Sequence, residues 1–388
     1  MSGNPLSANS APRRTFQLDS IEEAVADIRA GKVVIVVDDE DRENEGDFVC
    51  AAERITPEII NFMATYGRGL ICTPIDEDRA DRLGLSKMVE TNTDVHETAF
   101  SVTIDLIGHG CTTGISAYDR ATCIRRMTEH SAKSTDFTRP GHVFPLRAVK
   151  GGVLRRTGHT EAAVDLAKMA NLFPAGVIVE ILKPDGEMAR LPYLVELAKE
   201  HDLKIISIED LVAYRLKTER LVECEFSMQL DTRYGPFQLY AYRQTTNDDV
   251  HLALVHGEWL PDEPVLTRVH SSTASRDLLH SLLSGYSTGL HRPLEKISEA
   301  GAGILLFMRP HQDGSEVIAG LRLLKSRMDN GEVARISQPA SMDQRDFGIG
   351  AQILLDLKVS KLRILSNTPK NRIGLEGYGL EVVEFVSL

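Results

Sequence analysis

Short apolar runs alternate with stretches of helical periodicity in the first half of the chain, and this alternation limits the possible folds more than any other feature. The apolar runs have the length of strands and lie at Val33–Val37, Leu70–Thr73, Val177–Ile181 and Ile205–Ser207. Apolar residues spaced as on one face of a helix occupy Ile21–Ala30, Pro57–Thr65, Ala162–Ala170 and Ile208–Tyr214. Such alternation is typical of domains in which helices cover a sheet. We therefore predict an α/β (α+β) fold.

The chain is long enough for two domains. Its 388 residues exceed the usual size of one domain. The charged segment LKTERLVECEF has no clear periodicity, and we place the boundary within it, near Arg220. We predict a flexible polar arm at 1–15, a first domain at 16–220 and a smaller α+β domain at 221–388. In the second domain we expect strands at Glu225–Leu230, Phe237–Arg243 and Leu252–His256, and a helix at Ala274–Ser284.

Charge and hydropathy exclude several classes of partner. The net charge of −12 argues against nucleic acid, because phosphate backbones are bound chiefly by Lys and Arg. No apolar run reaches the roughly 18 residues that a membrane helix needs, and the N-terminus has no apolar leader. The five cysteines form no CxxC pair, which is typical of a reducing compartment. We expect a cytoplasmic protein that binds neither nucleic acid nor membrane.

The segment DDEDRENEGD, Asp38–Asp47, follows the predicted strand Val33–Val37 and contains seven carboxylates among ten residues. Acidic runs are more often solvated loops than sites. However, ligands of open α/β sheets collect at the carboxyl ends of strands, where this segment begins. Glu43 and Glu45 would point to one side of an extended backbone and could bind a hard cation such as Mg²⁺. Arg42, alone among these acids, suggests a bound anion.

A second cluster combines histidines and arginines. It consists of RPGHVFPLRA, Arg139–Ala148, and GGVLRRTGHTEA, Gly151–Ala162. A single histidine is usually structural, but neutral His159 would be a suitable metal ligand beside Glu43. Thr160 could cap the helix that follows. The free N–H groups of that helix, with Arg156 beside them, would then form a phosphate cradle.

Together these segments resemble the 3,4-dihydroxy-2-butanone-4-phosphate synthase family of riboflavin biosynthesis. The resemblance runs from about Phe16 to Tyr214. It includes, in order, DDEDRENEGD, GLICTPI, MVETNT, TTGISAYDR, RPGHVFPLRA, GHTEAAVDL, PAGVIVEIL and ISIEDLVAYR. It implies a mixed-sheet domain with flanking helices that converts D-ribulose 5-phosphate to 3,4-dihydroxy-2-butanone 4-phosphate and formate. It also implies a homodimer with its sites near the subunit interface.

By the same resemblance, Glu43 and His159 hold Mg²⁺ or Mn²⁺, and His142 and Glu180 are catalytic. The implied substrate contacts are Arg42, Glu43, Asp47, Arg156, Thr157, Gly158, His159, Thr160 and Glu180. Asp38, Asp39, Glu40 and Asp41 are expected only to shape the local electric field. Proton removal beside the ketone gives an enediolate, which a divalent cation can stabilise, and later steps need placed acids and bases.

Two further interpretations stay open. Cys72 either fills the core as a small hydrophobe or lines the pocket. Thr112, Thr113 and Ser116 either bind the sugar phosphate or make ordinary turn contacts. The sequence does not assign individual groups to individual proton transfers.

The second half of the chain resembles GTP cyclohydrolase II, on HLALVHGE, PVLTRVHS, GAGILLFMRP, DQRDFGIGAQIL and SNTPK. That family binds zinc through three cysteines, and Thr273, Ser284 and Tyr286 stand where they would be. Cys224, the only cysteine of this half, lies far upstream. Without thiolate ligands no zinc is expected, and PHQDGSEV also departs from the family pattern after Arg309. Asp343, Arg345 and Lys370 do match the family.

We therefore expect a synthase with a catalytically silent second domain. Two alternatives remain: a bifunctional enzyme that also opens GTP, or a second domain that binds a regulatory nucleotide or stabilises the dimer.

Overall fold

The computed structural model describes residues 18–39, 42–94, 98–247, 249–271, 288–309, 344–366 and 379–388. The chain divides into two compact units, Met1–Leu211 and Val212–Leu388. This division falls slightly before the predicted boundary near Arg220, which stays a prediction. The predicted arm at 1–15 lies outside the described residues.

In the first unit, seven helices are described. They are α1 Ile21–Arg29, α2 Pro57–Phe62, α3 Glu77–Arg82, α4 Ala117–Thr128, α5 His159–Met169, α6 Leu191–Glu200 and α7 Ile208–Thr218, the last of which continues into the second unit. The strands described are β1 Val34–Val37, β2 Gly46–Ala51, β3 Cys72–Asp76, β4 Ile104–Leu106, β5 Phe137–Ala148, β6 Gly176–Glu180 and β7 Ile205–Ser207.

These strands form one mixed sheet in the order β4-β5-β3-β6-β2-β1-β7. β1 pairs antiparallel with β2 and parallel with β7, and β2 pairs antiparallel with β6. Every residue of β1 and β2 is buried, including Asp47. The centre of the sheet is therefore covered on both faces, as the predicted α/β fold requires. That prediction is confirmed.

Most predicted elements have somewhat different bounds in the structure, and two of the differences lie beside β6. Helix α2 ends at Phe62 and continues as a π turn over Met63–Gly67 rather than as α-helix to Thr65. The strand predicted at Leu70–Thr73 begins only at Cys72. The reason is that Gly67 and Gly69 lie against β6, so this segment approaches the sheet as a loop before it pairs.

The second unit contains the strands β8 Val222–Thr232, β9 Gly235–Gln244, β10 Val250–His256, β11 Pro264–Ser271, β12 Gly303–Met308, β13 Lys361–Leu365 and β14 Glu381–Val386. Its described helices, besides the end of α7, are α8 Thr288–Glu299 and α9 Gln344–Asp356. The sheet order is β14-β13-β11-β12-β10-β9-β8, antiparallel from β8 to β12 and parallel from β12 to β14. Phe237, Leu266, Ile297, Leu305 and Leu365 form its buried cluster. The helix predicted at Ala274–Ser284 lies outside the described residues.

Within the part of the chain that the structure describes, no helix is both long and apolar enough to span a membrane.

Candidate active site

We call residues 38–45, which lie between β1 and β2, the acidic loop; Glu40 and Asp41 of this segment lie outside the described residues. Its first residue, Asp38, has a side chain only 1% exposed. One Asp38 carboxylate oxygen accepts the N–H of Glu45 at 2.7 Å, and the other accepts the N–H of Glu43 at 3.1 Å. Arg42 donates to the latter oxygen at 2.9 Å. The expectation that Asp38 only shapes the field is therefore wrong, because it fixes the conformation of the loop.

The acidic loop is not extended. Asn44 has φ 56°, in the left-handed region, which breaks the alternation that would place Glu43 and Glu45 on one side. That geometric prediction is wrong. Arg42 donates to Oε2 of Glu43 at 2.7 Å as well as to Asp38, so its guanidinium lies among carboxylates. Its predicted contact with substrate stays a prediction.

His159 is the first residue of α5 and is buried, with 6% of its surface exposed. Its Nε2 lies 3.2 Å from the carbonyl oxygen of Val36 on β1, to which it donates in the neutral tautomer. Nδ1 then carries the lone pair and lies 4.0 Å from Glu43 Oε2 and 3.9 Å from Asp47 Oδ1. Burial lowers the pKa of the His159 imidazole, more than the nearby carboxylates raise it. The ring is therefore available as a neutral ligand.

One ligand atom from each of Asp38, Glu43 and His159 lies within 4.8 Å of the others. Two carboxylates and an imidazole, close together and mostly buried, fit a divalent ion such as Mg²⁺ or Mn²⁺. The sequence did not single out Asp38 for this group. Its position as the first residue after a buried strand, at the carboxyl end where ligands collect, was the signal that could have identified it.

Asp47 and Glu180 are brought to the same place by the pairing of β2 with β6. Burial raises the pKa of Asp47 well above its usual range, and Glu180 raises it further. Oε2 of Glu180 accepts the N–H of Leu70 at 2.8 Å. A Cβ on Gly69 would lie 2.5 Å from that oxygen, so only glycine leaves room for the carboxylate here. Gly69 and Leu70 were not identified from the sequence.

The segment Arg156–Thr160 leads into α5. The prediction that Thr160 caps this helix is wrong: Gly158 occupies the N-cap position and makes no side-chain cap, so Thr160 lies inside the first turn. Arg156 donates to Oε2 of Glu161 at 2.7 Å. The Glu161 carboxylate also accepts the N–H of Val149 at 3.2 Å, which ties the preceding loop to the helix. Glu161 was not among the predicted site residues.

His142 is not in contact with the acidic loop. It lies on β5, and its Nδ1 is 2.7 Å from Asp105 Oδ2, while its backbone N–H donates to Asp105 Oδ1 at 2.8 Å. β5 and β2 are separated by β3 and β6, which corresponds to about 14 Å at the usual strand spacing. The structure therefore places this predicted catalytic residue at a separate point of the first unit, and adds Asp105 as its partner.

Thr112 and Ser116 make hydrogen bonds typical of the start of a helix, and the predicted contacts of Thr112, Thr113 and Ser116 with the sugar phosphate stay predictions. Ser116 accepts the N–H of Asp119 and caps α4, and Asp119 in turn accepts the N–H groups of Thr112 and Gly114. Cys72 is 2% exposed, and burial raises the pKa of its thiol. Cys72 therefore packs as a small hydrophobe and stays protonated.

Most residues that bear on a cyclohydrolase site lie outside the described residues: Thr273, Ser284, Tyr286, the segment 310–317, Asp343 and Lys370. Arg345 lies on α9, and its side chain is not described. Cys224 is exposed on β8.

Comparison with protein families gives two matches along the chain. Residues 22–214 match the 3,4-dihydroxy-2-butanone 4-phosphate synthase family, and residues 223–387 match the GTP cyclohydrolase II family. The two matches follow one another with a short gap, in the order that the sequence analysis expected.

Curated relatives match over nearly the whole chain. The riboflavin biosynthesis protein RibBA of Cytophaga hutchinsonii is 51% identical over 96% of this chain and 93% of its own length. RibBA of Aquifex aeolicus is 50% identical over 97% of this chain and 94% of its own length.

Two solved structures are similar to this chain. RibBX of A. baumannii, described as a two-domain 3,4-dihydroxy-2-butanone 4-phosphate synthase, is 41% identical and superposes with a TM-score of 0.75, covering 95% of this chain and 99% of its own. A synthase in complex with two magnesium ions is 42% identical, with a TM-score of 0.50, covering 52% of this chain and 98% of its own.

Proposed function

The chain belongs to the 3,4-dihydroxy-2-butanone 4-phosphate synthase family, with a second domain of the GTP cyclohydrolase II family, and from this premise we propose its substrate and site. The enzyme is a 3,4-dihydroxy-2-butanone 4-phosphate synthase of riboflavin biosynthesis. Its substrate is D-ribulose 5-phosphate, its second product is formate, and its metal ion, Mg²⁺ or Mn²⁺, is bound by Glu43 and His159. The convergence of Asp38, Glu43 and His159 within 4.8 Å is the observation that carries this proposal.

When bound, the metal ion supplies Lewis-acid polarisation of the substrate's carbonyl oxygen. The candidates for the proton transfers are Glu180, His142 and Asp47, of which Asp47 and Glu180 share one face of the sheet. Burial raises the pKa of the Asp47 carboxyl well above the usual range, and Glu180 raises it further, which favours the protonated form of Asp47. Glu180 is positioned by the N–H of Leu70 and accepts a proton. The pair thus offers one donor and one acceptor close to His159.

The phosphate group is bound by Arg156, Thr157, Gly158, His159 and Thr160. This assignment is supported by the start of α5 at His159, where no side chain caps the helix. Helix N-termini attract phosphate through their N–H groups and dipole. The salt bridge from Arg156 to Glu161, at 2.7 Å, holds a guanidinium beside this terminus.

In a homodimer, His142 of one subunit could reach the active site of the other subunit. His142 is 45% exposed and lies about 14 Å from β2 at the usual strand spacing, so within one chain it does not reach the acidic loop. Ile107, Ile115 and Tyr118, which follow the His142 partner Asp105 in the chain, are about half exposed. Exposed apolar side chains of this kind are suited to a protein interface. A second copy that covers this surface can present His142 to its neighbour's substrate.

Mixing two inactive variants tests this arrangement. Glu43→Ala and His142→Ala chains, each inactive alone, are expected to regain up to about a quarter of wild-type activity after joint refolding, because half of the dimers are hybrids with one intact site. Unchanged inactivity of the mixture, with hybrid dimers shown by mass spectrometry, would count against a shared site.

The second domain is proposed not to hydrolyse GTP. The zinc site of the cyclohydrolase II family uses three cysteine thiolates, and residues 221–388 contain Cys224 alone as a cysteine. The solved relative RibBX, described as a two-domain synthase, supports this reading. The RibBA names of the curated relatives favour the alternative, a second active domain.

One assay decides among these functions. Purified chain is incubated with D-ribulose 5-phosphate or with GTP, with Mg²⁺, Mn²⁺ or EDTA, and formate is measured. We expect formate from the sugar phosphate only with the metal ion, and none from GTP. Metal-independent turnover contradicts the synthase site, and formate from GTP with stoichiometric zinc establishes the bifunctional alternative. Calorimetry with GTP then tests a regulatory nucleotide site.

A further inference from the structure

An arginine that lies 147 residues after Glu43 in the sequence binds the backbone of the acidic loop. Arg190 immediately precedes α6, and its Nη1 donates to the carbonyl oxygen of Glu43 at 2.8 Å. The same nitrogen also donates to the carbonyl oxygen of Asn44. No step proposed above uses Arg190.

Arg190 and Asp38 fix opposite sides of the same residue. The N–H of Glu43 donates to Asp38 at 3.1 Å, and its C=O accepts from Arg190 at 2.8 Å. Both peptide groups of Glu43 are therefore fixed by charged side chains, so only its side-chain torsions remain free. A ligand whose backbone is held in this way reaches the ion without ordering a flexible loop.

The loop needs such external contacts. Asn44 has φ 56°, a left-handed conformation that few residues other than glycine and asparagine adopt. Arg190 binds the carbonyl oxygen of this same residue. The contact therefore stabilises the turn that sets the direction of the Glu43 side chain.

The helix that follows Arg190 is held in place by packing. Leu194, one turn into α6, is 1% exposed. A Cβ on Gly46 would overlap a methyl group of Leu194, so the helix lies directly against the base of the acidic loop. Arg190 is thus presented by a helix whose position relative to β2 is fixed.

We propose that Arg190 is a positioning residue of the divalent-metal site, which holds Glu43 in its ligating conformation through the backbone of Glu43 and Asn44. This inference rests on the proposed role of Glu43 as a metal ligand. It predicts that loss of Arg190 weakens metal binding more than it weakens binding of the sugar phosphate.

The test measures Mn²⁺ binding to the full chain by electron paramagnetic resonance of the free ion. For Arg190→Ala we expect a Kd for Mn²⁺ raised on the order of 10–100-fold, the usual effect of removing an outer-shell partner. The KM for substrate at saturating metal should change little, and methylguanidine should partly restore metal affinity. Wild-type Mn²⁺ affinity in Arg190→Ala would overturn the proposal.

The matched control for Arg190→Ala is Arg29→Ala, because Arg29 also donates to two backbone carbonyl groups. Arg29 donates to Ala170 O at 3.0 Å and to Met169 O at 3.4 Å, at the far end of α5. That end lies about 16 Å from His159 along the helix axis. Arg29→Ala is expected to leave Mn²⁺ affinity unchanged. Equal weakening in both variants means a general loss of stability, and contradicts a positioning role.

Failure of the proposed function looks different. If the wild-type chain binds no Mn²⁺, or Glu43→Ala binds it as tightly as wild type, Glu43 is not a ligand whatever Arg190 does. Weak binding in Glu43→Ala together with unchanged binding in Arg190→Ala rejects the positioning role alone.

Discussion

Asp47 and Glu180 stand directly opposite each other on the antiparallel strands β2 and β6. Opposite residues in such a pair have Cα atoms about 4.5–5.5 Å apart and side chains on the same face. Burial raises the pKa of Asp47 well above its usual range, and the facing Glu180 carboxylate raises it further. Burial and this strand pairing therefore favour the protonated form of Asp47.

Glu180→Gln should abolish the ability of this residue to accept a proton, and the variant should still fold as the wild type does. We expect kcat to fall on the order of 10²–10⁴-fold, the usual contribution of a general acid or base. Mn²⁺ affinity should remain, because Glu180 does not belong to the Asp38–Glu43–His159 group. Steady-state kinetics and Mn²⁺ titration measure the two effects. Glu187→Gln, at an exposed position just beyond β6, serves as the control and should retain full activity.

Gly69→Ala should damage the same function indirectly. The new Cβ would lie 2.5 Å from Glu180 Oε2 and 2.6 Å from its carbonyl oxygen, so the carboxylate must move. We expect a loss of kcat of at least about tenfold, since misplacement by about 1 Å can cost 10²-fold. Circular dichroism should show a retained fold.

Gly350→Ala is the matched control for that change. Its Cβ would meet Leu306 Cδ2 at 3.6 Å, an ordinary contact, and Gly350 lies within helix α9. A helical glycine replaced by alanine gains about 0.5–1 kcal/mol, so activity should be unchanged and stability slightly raised. Equal activity of Gly69→Ala and Gly350→Ala would show that Gly69 does not position Glu180.

Glu43→Ala should abolish turnover and metal binding, because it removes one of three potential ligands. Glu40→Ala, in the same acidic segment, should be far milder. Comparing kcat and Mn²⁺ affinity in the two variants checks whether the carboxylates of the segment are equivalent. Equal losses would refute the assignment of Glu43.

The second unit should lose stability as the pH falls from about 6.5 towards 4. His251 is 2% exposed; its Nδ1 accepts the N–H of Arg309 at 3.1 Å, and its Nε2 lies 3.3 Å from Gln244 Oε1. Burial, with a smaller contribution from the charge of Arg309, lowers the pKa of His251 to about 4. The unfolded chain, with a pKa near 6.5, binds the proton more readily, so protonation favours unfolding over this range.

The shift corresponds to about 3 kcal/mol at most, since one pKa unit is about 1.4 kcal/mol. Urea unfolding between pH 4 and pH 8, monitored in the second unit, measures the effect. His251→Gln should be less stable at pH 8 and should show a shallower pH dependence. A parallel dependence in wild type and variant would exclude His251 as its source.

The sequence was sufficient to predict secondary structure elements that depend on neighbouring residues alone. Helix α1 begins at Ile21 because Ser20 and Glu23 form a capping box, and β1 is a run of four buried residues. These signals lie within a few residues of each other. The acidic segment likewise follows β1 as expected.

The arrangement of the site depends on contacts that no local pattern contains. Arg190 binds Glu43 across 147 positions, and Glu180 binds Leu70 across 110. The left-handed Asn44 and the helix start at His159 rather than beyond Thr160 are settled by such tertiary contacts. His142 shows the same limit, because sequence proximity to Arg156 and His159 did not place it beside them.

The backbone N–H groups of Glu43 and Glu45 donate hydrogen bonds to the buried carboxylate of Asp38, and these bonds limit how fast the acidic loop can open. Their amide hydrogens exchange with solvent only when the loop opens, and the same opening frees the side chain of Glu43. The exchange rate of these two amides therefore reports how often the site loosens in the native enzyme. Release of a bound cation that requires this motion proceeds no faster than the opening itself.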